Sequence, residues 1–193
     1  MKKDREREVI FNLPNILTTF RLLCIPLVVL CLRNPGRLGS FFAALFFGLA
    51  FITDILDGFF ARRYCEITRL GKLLDPLADK ILVGITMVML IPLGRIPIWI
   101  VMLILAREIA VTGLRSIAGN RGIVIQANTL GKYKTAFQVT STIALCLHYK
   151  YFNADFHVIG MIFLWIALTL TLWSGGAYFW QFRRVLFPKR GNK

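Results

Sequence analysis

Apolar residues in this chain come in long unbroken blocks, and no other feature limits its fold so severely. Six blocks, approximately 13–32, 40–61, 73–93, 96–112, 136–149 and 156–182, are apolar almost throughout. They are separated by NPGRLG, RRYCEITRLGK, LGRIP, the stretch from SIAGNRG through GKYK, and KYFNAD. A helix rises about 1.5 Å per residue, so about 20 such residues cross the hydrocarbon core of a bilayer. Strands of a closed barrel would alternate apolar and polar positions, and these blocks do not. The 193 residues are 56% hydrophobic with a mean hydropathy of +0.63, too apolar for the polar remainder to cover a soluble core. The expected architecture is therefore all-α, a polytopic membrane protein. It comprises a cytoplasmic arm at 1–12, six transmembrane helices within 13–182, and a basic cytoplasmic tail at 183–193. The arm, KKDREREVIF, alternates charges and suits a short interfacial helix.

Net charge is +14, carried by 24 Lys and Arg against 10 Asp and Glu. With the N-terminus in the cytoplasm, only Arg33, Arg37, Arg95 and Lys150 fall on the outer side, while Arg21, Lys80 and Arg107 sit inside blocks. That asymmetry places both termini in the cytoplasm of an inner (plasma) membrane protein. It also explains the basic balance as a membrane-surface and topology signal, so no nucleic-acid partner is expected. The first block carries Pro14, Arg21 and Pro26 and lacks a small-residue cleavage site, unlike a signal peptide. Cys24, Cys31, Cys65 and Cys146 form no CxxC pair, and His148 and His157 lack ligand spacing.

Against this background the placement of the acidic residues is telling. Asp54, Asp57, Asp75, Asp79 and Glu108 lie within or at the cytoplasmic ends of apolar blocks. Each aspartate near the bilayer centre costs about 2.5–3.5 kcal/mol on the insertion scale. Asp54 and Asp57 are three apart and Asp75 and Asp79 four apart, so each pair shares one helical face. The intervening loop reverses the chain and brings both pairs to the cytoplasmic side. Four hard oxygen ligands converging there suit Mg²⁺ or Mn²⁺, two ions in all, with positions left for phosphate oxygens. Gly58, Ala61 and Gly71 lack bulk and admit a ligand or a neighbouring backbone, and Arg62 offers a fork to a phosphate.

The stretch DILDGFFARRYCEITRLGKLLDPLAD fits D-x2-D-G-x2-A-R-x8-G-x3-D-x3-D at every fixed position. In this it resembles the signature of the CDP-alcohol phosphatidyltransferase family. The resemblance implies six transmembrane helices, a homodimer, and a divalent-metal site open to the cytoplasm. It implies CDP-diacylglycerol as one substrate, with an alcohol hydroxyl attacking the lipid-bearing phosphate and expelling CMP. By the same resemblance Asp54, Asp57 and Asp75 are metal ligands. Asp79 is both a metal-site residue and the base, and Gly58, Ala61 and Arg62 hold the cytidine and its phosphates.

The acceptor is read from the remaining polar residues. Glu108, Thr112 and Arg115 share a face within REIAVTGLRS, beside Arg107, and GKYKT adds Lys132 and Lys134. Arg107, Arg115, Lys132 and Lys134 near one mouth make a pocket for a second phosphate. An uncharged polyol has no need of it, and a cationic head group would be repelled. REIAVTGLR and GKYKT, together with NLPNILTTFRLLCIP, resemble the phosphatidylglycerophosphate-forming branch of the family, which implies sn-glycerol 3-phosphate as acceptor. Asn15, Thr18 and Arg21 recur at helical spacing in the first block, where nucleotide contact and helix packing both remain open. Within the family the alternatives are cardiolipin synthesis, with less need of a cationic pocket, and phosphatidylinositol-phosphate synthesis, which charge does not separate. A divalent cation transporter would also carry intramembrane carboxylates, but would more often show two related halves and broken helices at the midplane.

Overall fold

The computed structural model describes residues 13–64, 69–120, 130–151 and 153–186. Six helices occupy nearly all of them: α1 Leu13–Arg33, α2 Arg37–Tyr64, α3 Arg69–Leu90, α4 Ile98–Asn120, α5 Leu130–Leu147 and α6 Phe156–Leu186. The expected interfacial arm and most of the basic tail lie outside the described residues. Each apolar block became one helix, whose interior backbone groups are paired within the segment. The ends moved. Helix α2 begins at Arg37 rather than at residue 40, α4 runs on to Asn120, and α5 starts at Leu130, because a helix can continue past its apolar stretch wherever its polar residues meet water.

One short element was not anticipated. KYFNAD forms an antiparallel pair, β1 Lys150–Tyr151 and β2 Ala154–Asp155, with Lys150 opposite Asp155. Its turn uses Asn153 at φ 65°, a left-handed conformation that asparagine tolerates. His148 also has positive φ (57°) and ends α5 with its N–H donated to the Ala144 carbonyl at 2.9 Å.

Helix α1 packs on α2 and α3, α5 packs on α2 and α6, and α4 on α6. Small residues set the closest approaches. A methyl group on Gly39 would meet the Cys31 carbonyl oxygen at 2.7 Å, and one on Gly160 the Leu145 side chain at 2.6 Å. The buried core gathers Val28 and Leu32 with Phe47, Leu82, Met87, Ile100, Ile104, Leu145 and Leu164. The outside is apolar too: Leu23 is 60% exposed and Trp173 72%. In water such a surface would aggregate; against lipid it is the expected face. Among the described residues, Phe156–Trp180 is the helix long and apolar enough, by length and composition, to cross a membrane, and Arg37–Thr53 is a shorter apolar run.

The end of the bundle that holds the β-hairpin is closed by Arg95. Its guanidinium is buried and donates to the Cys146 carbonyl at 2.7 Å, the Leu145 and Pro35 carbonyls at 3.4 Å, and Ser40 Oγ at 2.8 Å. One side chain thereby joins the α1–α2, α3–α4 and α5–hairpin connections. Tyr149 adds a hydroxyl donated to the Pro35 carbonyl at 2.6 Å, and Arg37 lies over the Tyr149 and Tyr151 rings.

Candidate active site at the opposite end of the bundle

The carboxylate signature spans α2 and α3. Asp54 and Asp57 are one turn apart on α2, Asp75 and Asp79 one turn apart on α3, and the two helices touch. The helical spacing expected from sequence is therefore present. Of these four, only the Asp79 side chain is described; those of Asp54, Asp57 and Asp75 lie outside the described part, as do those of Gly58, Ala61, Arg62, Gly71, Asn15, Thr18 and Lys132. Among the described side chains no three His, Cys, Asp or Glu gather around an ion site. The metal assignment thus rests on the chemistry and spacing of the signature.

Asp79 is paired. Its Oδ1 lies 2.6 Å from Nη1 of Arg21 on α1, which is fully buried while the carboxylate is 39% exposed. Nucleotide contact and helix packing are both open for Arg21 on sequence; the structure shows it in an interhelical ion pair with a signature aspartate.

Of the four cations expected to bind a second phosphate, the three whose side chains are described, Arg107, Arg115 and Lys134, lie near one another. Arg107 of α4 reaches across to α6, where Nη2 donates to Ser174 Oγ at 2.6 Å. Its Nη1 lies 3.3 Å from Glu108 Oε1, the same oxygen that Lys134 of α5 contacts. Arg115 donates to the Tyr178 hydroxyl and stands over that ring at 4.7 Å, with Arg107 over the same ring at 5.8 Å. Arg107 Nε is buried and finds no partner among the described residues. A buried charged donor left over in this way marks a place where an anion's oxygen would be welcome.

Lys80, adjacent to Asp79 on α3, donates to Thr112 Oγ1 at 2.5 Å, and Thr112 in turn donates to the Glu108 carbonyl at 2.6 Å. Thus the carboxylate helix and the cation-bearing helix are bonded at one level of the bundle. Lys80, Arg107, Arg115 and Lys134, with Arg21, outnumber the two described carboxylates at this end, Asp79 and Glu108, so the described region is positive beside an acidic signature.

Sequence reasoning missed the α6 contribution. Ser174 and Tyr178 are four apart, and Gly175 between them clears a path for Arg107, whose Cγ would lie 3.1 Å from an added methyl. The hydroxyl-bearing pair at helical spacing in an otherwise apolar run was the available signal. Lys80, a cation inside an apolar block, carried the same kind of signal.

A sequence profile described as CDP-alcohol phosphatidyltransferase matches residues 11–173. The chain is 39% identical over 185 residues to a CDP-diacylglycerol–glycerol-3-phosphate 3-phosphatidyltransferase of Bacillus subtilis, covering 88% of this chain and 94% of that one. It is 41% identical over 169 residues to the protein of the same name from Rickettsia bellii, covering 87% and 93%. A third relative of that name, from Shigella flexneri serotype 5b, is 38% identical over 170 residues, covering 85% and 91%.

Proposed function

The chain belongs to the CDP-alcohol phosphatidyltransferase family, and on that premise we infer that it transfers the phosphatidyl group of CDP-diacylglycerol to sn-glycerol 3-phosphate. The products are phosphatidylglycerophosphate and CMP. The protein is an enzyme, a phosphatidyltransferase of phospholipid biosynthesis. Its acceptor is supported by the names of its relatives and, independently, by one observation: Arg107, Arg115 and Lys134 gather beside the carboxylate signature, with a buried guanidinium donor still unspent.

In this reaction a hydroxyl oxygen of the acceptor bonds to the phosphorus that carries the diacylglycerol. The bond from that phosphorus to CMP breaks, and the hydroxyl proton goes to a carboxylate, assigned here to Asp79. Asp54, Asp57, Asp75 and Asp79 would hold two divalent ions, Mg²⁺ or Mn²⁺; the donor set fits, being wholly carboxylate and free of thiolate or imidazole. When bound, the ions offset charge on the pyrophosphate and on departing CMP. Gly58, Ala61, Arg62 and Gly71, with Asn15 and Thr18, are assigned to the nucleotide. Arg107, Arg115, Lys132 and Lys134 hold the acceptor's phosphate, and Tyr178 orients two of them. Without that phosphate an alcohol would lose several charge-assisted hydrogen bonds.

Six membrane-spanning helices within residues 13–182, with both termini and the site on the cytoplasmic side of the inner membrane, complete the proposal. The bias of Lys and Arg supports this topology, as does the apolar exterior of the bundle. A homodimer is carried over from the family resemblance. The test is an acceptor panel: purified protein with CDP-diacylglycerol and, in turn, glycerol 3-phosphate, inositol phosphate and phosphatidylglycerol, with CMP release measured. Release with inositol phosphate and none with glycerol 3-phosphate would overturn the acceptor.

A further inference from the structure

We infer that Arg21 is a positioning residue for Asp79, an inference that rests on the assignment of Asp79 to the reaction centre. Arg21 is fully buried, the first of the largest enclosed side chains, and sits on α1, which packs against the signature helix α3. Its Nη1 is 2.6 Å from Asp79 Oδ1. The pair is asymmetric. The cation end is sealed, with no surface on which a substrate could touch it, whereas the anion end is 39% exposed. A strut between two helices has no reason to leave one end open. A clamp that presents a carboxylate to a reacting group does.

The chemistry of the fork explains why arginine stands here. A planar guanidinium fixes the direction from which a carboxylate is held, while an ammonium supplies charge with little direction. Four carboxylates in one signature also repel one another, and a buried cation against one of them relieves part of that repulsion. Arg21 therefore does two things at once: at ion-pair distance it draws the Asp79 carboxylate toward α1, and it offsets its charge. Removing the side chain should misdirect the carboxylate, which lowers turnover. It should also leave the centre more negative, which tightens binding of a divalent cation. A residue that only packed helices would produce neither effect in that combination.

The experiment uses the full chain purified in detergent, with steady-state kinetics for both substrates and Mn²⁺ binding followed by loss of the free-ion EPR signal. For Arg21→Lys, kcat falls about tenfold with both KM values within about twofold, and Mn²⁺ affinity is unchanged. For Arg21→Gln, kcat falls about a hundredfold while Mn²⁺ binds several-fold more tightly. Wild-type kcat in Arg21→Lys overturns the inference, and so does Mn²⁺ affinity that weakens in Arg21→Gln. If Arg21→Gln fails to fold, the kcat and KM values of Arg21→Lys decide alone. Should the wild-type protein release no CMP at all, the proposed reaction fails instead, and the Mn²⁺ measurements still decide the role of Arg21.

Discussion

The two ends of this bundle both gather arginines, and they use them in opposite ways. At the hairpin end Arg95 gives its donors to three backbone carbonyls and one serine, so every bond ties one connection to another. At the signature end Arg107 and Arg115 meet side chains, Ser174, Glu108 and Tyr178, and one of their donors remains unspent. Carbonyl partners are fixed by the fold and cannot be exchanged for a ligand. Side-chain partners can turn, and an incompletely satisfied donor favours an incoming anion. Burial of a charge in a membrane bundle thus does not by itself mark a reaction site; the kind of partner does.

That contrast breaks most visibly at the carboxylates. Asp57→Asn or Asp75→Asn should lower kcat by about a thousandfold or more with thermal stability retained, because one ligand charge leaves a shared centre. Turnover assays beside a melting curve in detergent check both halves. At the other end, Arg95→Ala should cost about 3 kcal/mol, or about 10 °C in Tm, by orphaning buried carbonyls and Ser40. Its KM for glycerol 3-phosphate should stay unchanged in whatever fraction folds, and a KM rise there would erase the distinction between the ends.

Arg115→Ala should raise the KM for glycerol 3-phosphate about tenfold to a hundredfold and move that for CDP-diacylglycerol much less, as expected for one charged hydrogen bond. Tyr178→Phe, which removes only the hydroxyl that accepts from Arg115, should show the same pattern at about threefold. Equal effects on both substrates would detach Arg115 from the acceptor.

The smallest effect concerns pH at the hairpin end. Burial, followed by the charge of Arg95 and then His157, holds the His148 imidazole below its ordinary 6.5, with Asp155 pulling weakly the other way. A depressed folded value means the stabilising contribution is complete above 6.5 and is lost as pH falls through the lower value. Tm should therefore drop on acidification below pH 6.5, and His148→Gln should flatten that drop. Catalysis at the other end would give a different profile, so the two are separable.

Much of this was legible in the sequence because it is local. The spacing of Asp54, Asp57, Asp75 and Asp79 is a property of helical periodicity, and block length alone predicts six helices. What escaped was long-range. No local pattern announces that Arg95 will meet carbonyls about fifty positions further along, at Leu145 and Cys146, or that Arg21 of the first helix will clasp Asp79 of the third. Helix ends at Arg37, Asn120 and Leu130 were misplaced because apolarity marks where lipid stops, whereas hydrogen bonding marks where the helix stops. The KYFNAD hairpin was missed because six mixed residues carry too little period to distinguish a tight turn from a loop.

The most direct measurement is turnover of CDP-diacylglycerol and glycerol 3-phosphate by protein stripped of divalent ions with a chelator and then resupplied. The carboxylate signature requires that CMP formation disappear on stripping and return with Mg²⁺ or Mn²⁺. Full turnover in the stripped protein would contradict it.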